Sequence, residues 1–131
     1  MNESDKTLIL AEYSVVREFV KKARHELRFV PADEEGVKET KKHLERACAG
    51  VGLAQMAVPD QIIPLLTDAS KHLAQFRIGF EHISARHPEL KHRHSVAGLA
   101  HDAQESIVRV VRAIENKGES VWEEQRKTTS P

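Results

Sequence analysis

An all-α, up-and-down antiparallel four-helix bundle is the architecture this sequence predicts, and three observations predict it. Apolar residues recur in steps of four and three along most of the chain, which places them on one face of a helix. No run alternates apolar and polar residues in the manner of a half-buried strand. The five prolines and six glycines fall at intervals, and the segments between them have the length of helices. Short connections between such helices force neighbours in sequence to run antiparallel.

The first helix opens after Ser4 or Asp5, either of which can cap the free amides of its first turn. Its stripe is Ile9, Tyr13, Val16, Val20, Ala23, Leu27 and Val30, and Pro31 ends it. The second is expected from about Asp33, with Glu34 and Glu35 near the positive end of its dipole. Its stripe is Val37, Thr40, Leu44, Ala47, Val51, Ala54 and Val58. Small residues dominate from Ala47 to Val58, and Gly50 and Gly52 each cost up to about 1 kcal/mol of helix propensity relative to alanine. The apolar spacing continues through both glycines, which favours close packing of a neighbouring helix over a break.

Pro59 and Asp60 mark the next boundary, and Pro64 is expected near the first turn, where its missing amide does least harm. The third helix carries the most regular stripe, Ile62, Leu66, Ala69, Leu73, Phe76, Phe80 and Ile83. Pro88 interrupts it, because the residue before a proline is biased away from helix and His87 holds that place. Pro88 itself suits the first position of a fourth helix, whose stripe is Val96, Ala100, Ala103, Ile107, Val110 and Ile114, with Gly118 as its expected stop. Residues 1–118 then form one domain. Residues 119–131 form an extension in which Val121 and Trp122 pack a last turn on the bundle before KTTSP frays into disorder.

Composition bounds the function. At 40% hydrophobic and 31% charged residues, the balance is that of a globular chain. Twenty basic and twenty acidic residues cancel, which argues against nucleic-acid binding driven by bulk charge. Cys48 has no partner for a disulfide, as expected of a small buried side chain in a reducing compartment. The polar start MNESDK lacks a signal peptide's apolar segment, and the run from Ala47 to Val58 is about half the length that spans a bilayer. A cytoplasmic protein without membrane contact is therefore expected.

Six of the eight histidines fall between His72 and His101, so chemistry is sought there. A buried di-iron centre needs inward carboxylates and two Glu-x-x-His pairs. The only such pair, Glu89 with His92, lies at the turn, and no carboxylate sits on the stripes, so neither that centre nor any other cofactor is expected. His94, His101 and Glu105 share one face of the fourth helix. His94 and His101 are two turns apart, about 10.5 Å along the axis, which leaves His101 with Glu105 as the tighter surface metal candidate. Protonation of the cluster is expected to make stability or association depend on acidity between about pH 5.5 and 7.

Two short stretches resemble known families. HSVAGLA, starting at His94, resembles part of the motif of histidine phosphotransfer domains, which are also four-helix bundles. The resemblance implies His94 as the phospho-acceptor, with small residues nearby admitting the partner. Gly98 fits the family's glycine, whereas Ala97 stands where lysine is usual and His94 starts the last helix rather than lying on an early one. The R-x4-H spacing of Arg77 and His82 resembles that of HEPN domains, small helical domains that are often ribonucleases of defence or toxin–antitoxin systems. That resemblance implies that Arg77 steadies phosphate charge while His82 assists 2′-hydroxyl chemistry as acid or base, with RNA as substrate. Here Ile78 replaces the usual small polar residue. In a straight helix the two side chains diverge by about 140°, so convergence requires a distortion near Gly79.

The general layout is also similar to focal-adhesion-targeting and related adaptor bundles. The function expected is non-enzymatic: association with another protein, as a docking adaptor, or with a second copy as a homodimer. The small-residue face of the second helix is a candidate groove for a partner helix. The alternative is the HEPN-like ribonuclease or toxin component using Arg77 and His82. A histidine phosphotransfer or surface metal-binding bundle is the further alternative.

Overall fold

The computed structural model describes residues 3–129, with side chains described for residues 3–116. Four helices follow one another, α1 Glu3–Leu27, α2 Val37–Ala54, α3 Pro59–Arg86 and α4 Arg93–Thr129, with no strand among the described residues. Each packs on the next, and α1 also packs on α4, so the helices close into a ring of four. Cross-helix contacts fix their directions. Glu12 meets Ser106 while Glu26 meets His92, so residues early in α1 pair with residues late in α4. On α2 and α3, His43 meets His72 while Gly50 meets Ala69, the same descending order. The bundle is up-and-down and antiparallel, as its periodicity predicts.

The stripes form the core. All seven predicted residues of α3 are buried, as are those of α1 apart from the partly buried Tyr13. Phe76 lies at the centre, edge-on to Phe19 at 5.4 Å and stacked on Phe80 at 5.5 Å between ring centroids. Phe19 reaches diagonally across from α1 to do this, and truncation of such an aromatic costs about 3–5 kcal/mol. Gly50 and Gly52 lie inside a continuous α2. A β-carbon on Gly50 would stand 3.3 Å from Ala69 Cβ on α3, and one on Gly52 would stand 3.2 Å from the Tyr13 ring on α1. Close packing is thus what the small residues serve. The groove expected to admit a foreign helix is filled by α1 and α3.

Helix ends depart from expectation where side chains find better partners. Helix α1 stops at Leu27, and a turn carries the buried Val30 to Pro31. Helix α2 starts at Val37, after Gly36 at φ +85°, a left-handed conformation that glycine adopts without strain. Glu34 and Glu35 therefore sit in the α1–α2 connection, where they bind Arg86 instead of serving the α2 dipole. Val58, beyond the end of α2, is 60% exposed instead of buried. Pro59 opens α3, and Pro64 lies one turn inside it. Helix α4 starts at Arg93 instead of Pro88, because residues 87–92 form a turn that buries Leu90. It runs through Gly118, the expected stop, to Thr129. The packing expected of Val121 and Trp122, and Ser130 and Pro131, lie outside the described residues. No helix among the described residues is long and apolar enough to cross a membrane.

Candidate functional site

Of the residues singled out from the sequence, Arg77, His94, His101 and Glu105 line the α3–α4 face and His82 does not, so their grouping differs from the motifs. Helix α3 is unbroken through Gly79, so the distortion that would turn Arg77 and His82 together is missing. Gly79 has another role. It is a notch for Thr40 of α2, since a β-carbon there would collide with the Thr40 hydroxyl and stand 3.2 Å from its Cβ. Arg77 Nη1 donates to Gln104 Oε1 at 2.9 Å, which aims the guanidinium at α4. His82 is exposed and lines neither of the grooves that Arg77 lines.

Arg77 meets the other candidates instead. With His101, Gln104, Glu105, Arg109 and Arg112 it lines an open groove of about 450 Å³. On its other side it shares a groove with Ile78, Glu81, Arg93 and His94. His101 Nε2 lies 3.1 Å from Glu105 Oε1, so the metal candidates are ion-paired to each other. His94 is exposed, and open space surrounds the place of a β-carbon on Gly98. Glu89, half of the Glu-x-x-His pair, is bound to His87 rather than to His92. The two grooves are lined by the cations Arg77, Arg93, Arg109 and Arg112 with the imidazoles of His94 and His101 and the carboxylates of Glu81 and Glu105, so the face can hold charged groups.

Four polar constellations escape the periodicity. In the first, His87 is clamped between two carboxylates at 2.7 Å, Nε2 on Glu34 and Nδ1 on Glu89. Arg86 joins it with Nη2 3.1 Å from Glu34 Oε2, and also donates to the Glu35 carbonyl at 2.8 Å. The two acids hold His87 above its ordinary pKa, with Glu34 the larger cause. Its imidazole in turn lowers Glu34, and lowers Glu89 together with a backbone hydrogen bond that contributes more. This ties the α1–α2 connection to the α3–α4 turn.

In the second, His43 on α2 and His72 on α3 bring their Nδ1 atoms within 3.0 Å. Asp68 Oδ2 stands 3.3 Å behind, at His72 Nε2. Burial lowers the His43 pKa, and the charges of His72 and Arg46 lower it further against the opposing pull of Glu39.

In the third, Ser106 on α4 donates to Glu12 Oε2 on α1, and Glu12 is buried. Burial raises its pKa, against the pull of Ser106 and Arg109. Glu26, the fourth, is equally buried and accepts the His92 backbone N–H at 3.0 Å, so α1 caps the residue preceding α4. Glu12 and Glu26 are inward carboxylates that the stripes exclude. Cys48 is half-buried, and burial raises its thiol above the ordinary range.

Among the described residues no three or more His, Cys, Asp or Glu side chains converge to hold a metal ion. No protein-family model, curated protein or solved structure matches this chain. Its geometry therefore carries the functional reading.

Proposed function

We propose that this bundle works by binding protein, either another chain or a second copy of itself, and performs no chemistry of its own. The supporting observation is the bare apolar surface at the α2–α3 connection. Leu53 is 55% exposed, Met56 83% and Val58 60%, three large apolar side chains within one short stretch. Burying them against a partner would recover roughly 25 cal/mol per Å² of apolar surface removed from water. Clustered apolar exposure of this kind marks association sites, whereas scattered single residues do not. Methionine adds adaptability, because its unbranched thioether fits irregular surfaces. Arg77 is held toward α4 by Gln104 and shares no groove with His82, which favours binding over the ribonuclease arrangement.

Sedimentation velocity over a wide concentration range, alongside a pull-down, tests this reading. Association is expected, and Met56→Glu with Leu53→Glu is expected to abolish it while leaving the helical circular-dichroism signal intact. A strict monomer at high micromolar concentration that also captures nothing overturns the proposal. So does association that survives both substitutions.

A further inference from the structure

The His43–His72 pair has no role in that reading. Two imidazole nitrogens 3.0 Å apart hold a single electrophile between them, either one hydrogen or one metal ion. The rings are inclined at 32° with centroids 5.3 Å apart, and the His72 side chain is only 19% exposed. Asp68, one turn before His72, stands 3.3 Å from Nε2 and favours the hydrogen there. The Nδ1 lone pair of His72 is then left facing His43. This is how metal-binding histidines are backed, by a carboxylate that fixes the tautomer and raises ligand basicity. Glu39, one turn before His43, adds negative charge, and Arg46 opposes it. Without metal, His43 then carries its hydrogen on Nδ1 and donates it to His72. As a metal enters, that hydrogen moves by way of solvent to His43 Nε2, so the neutral pair releases no net proton.

The separation also suits one ligand geometry. With metal–nitrogen bonds of about 2.0–2.1 Å, nitrogens 3.0 Å apart subtend about 94° at the metal. That is a right-angled cis pair, narrower than a tetrahedral ion prefers. We propose that His43 and His72 are the protein half of a divalent transition-metal site of the tetragonal class, which takes Cu(II) first and Ni(II) next. The chain supplies two ligands, because no third His, Cys, Asp or Glu converges on them among the described residues. Water fills the remaining positions.

Titration of the full chain with Cu(II) at pH 7.5 against a competing chelator, read by electron paramagnetic resonance, tests this. One tetragonal Cu(II) per chain with nitrogen coupling is expected. His43→Gln and His72→Gln should each weaken it by more than about tenfold, and Asp68→Asn by about tenfold. His92→Gln, His94→Gln and His101→Gln should leave it unchanged. Ni(II) should also raise the melting temperature of the wild-type chain and not that of His72→Gln, whose fold is checked by its melt without metal. Tight Cu(II) binding that survives in the His43→Gln, His72→Gln double variant overturns the proposal. Zn(II) binding tighter than Cu(II), or no binding in competition with the chelator, does so as well.

Discussion

Glu12 accepts the Ser106 hydroxyl hydrogen through Oε2 across the α1–α4 interface, while its other oxygen, Oε1, is buried and has no hydrogen-bond partner among the described residues. A buried carboxylate with half its acceptor capacity unmet is a cost to the fold whenever it is charged. Burial raises its pKa, so its contribution favours the folded state at low pH and is lost as pH rises through the raised value. Glu12→Met removes the charge and keeps apolar volume. It is expected to stabilise the chain by roughly 1 kcal/mol at pH 7.5, with the gain shrinking toward pH 4. Urea unfolding at the two pH values checks this. A destabilised variant at pH 7.5 would contradict it.

The His87 clamp makes the opposite ends of the titration matter. Because His87 is raised above its ordinary 6.5, its stabilisation is full below that value and lost as pH rises through the raised one. Because Glu34 and Glu89 are lowered from 4.5, theirs is present above that value and lost as pH falls through the lowered ones. The clamp is therefore strongest between about pH 4.5 and 6.5. His43, with its lowered pKa, opposes this on the acid side, since its contribution is lost as pH falls. Melting curves of wild type and His87→Gln at pH 5.5 and 8.5 isolate the clamp. The wild type should exceed the variant more at pH 5.5, and an equal gap at both would sink the idea.

Gly79 and Thr40 are predicted to be coupled. Gly79→Ala drives a β-carbon into the Thr40 hydroxyl and should cost about 1–3 kcal/mol, despite alanine's better helix propensity. Thr40→Ala opens the space, so the double variant should be more stable than the sum of the single effects implies. Additive losses in a double-mutant cycle would show that the contact is not what Gly79 serves.

RNA cleavage that depends on His82 is not expected. Arg77 is held by Gln104, and His82 stands exposed five residues along an unbroken helix. Wild type and His82→Ala incubated with mixed RNA should leave it equally intact. Cleavage lost in the variant would restore the ribonuclease reading.

The parts of this fold legible in sequence are those that obey one period. The α3 stripe from Ile62 to Ile83 is apolar at every four-three step, so its burial follows from its own segment. Glu12 breaks that logic. It is buried between Ile9 and Val16, but its polar partner Ser106 lies in another helix. Phe19 is missed for a related reason, since it lies beside the stripe and is buried by the distant Phe76. The late start of α2 depends on where Glu34 and Glu35 find their partners, namely Arg86 and His87. Of the His43–His72 pair, only the spacing of Asp68 and His72 shows locally. Short motifs pair residues by sequence distance, whereas the helix surface places Arg77 with His101 and His94.

Four antiparallel helices return the polypeptide to the side from which it set out. Helix α1 begins and α4 finishes at the end of the bundle that carries the α2–α3 connection, while Gly36 and Pro88 mark the other. A bulky insertion in the α2–α3 connection would thus fall on Met56 and Val58 themselves. The same insertion in the turn at Pro88 would leave that end open, at the expense of the His87 clamp.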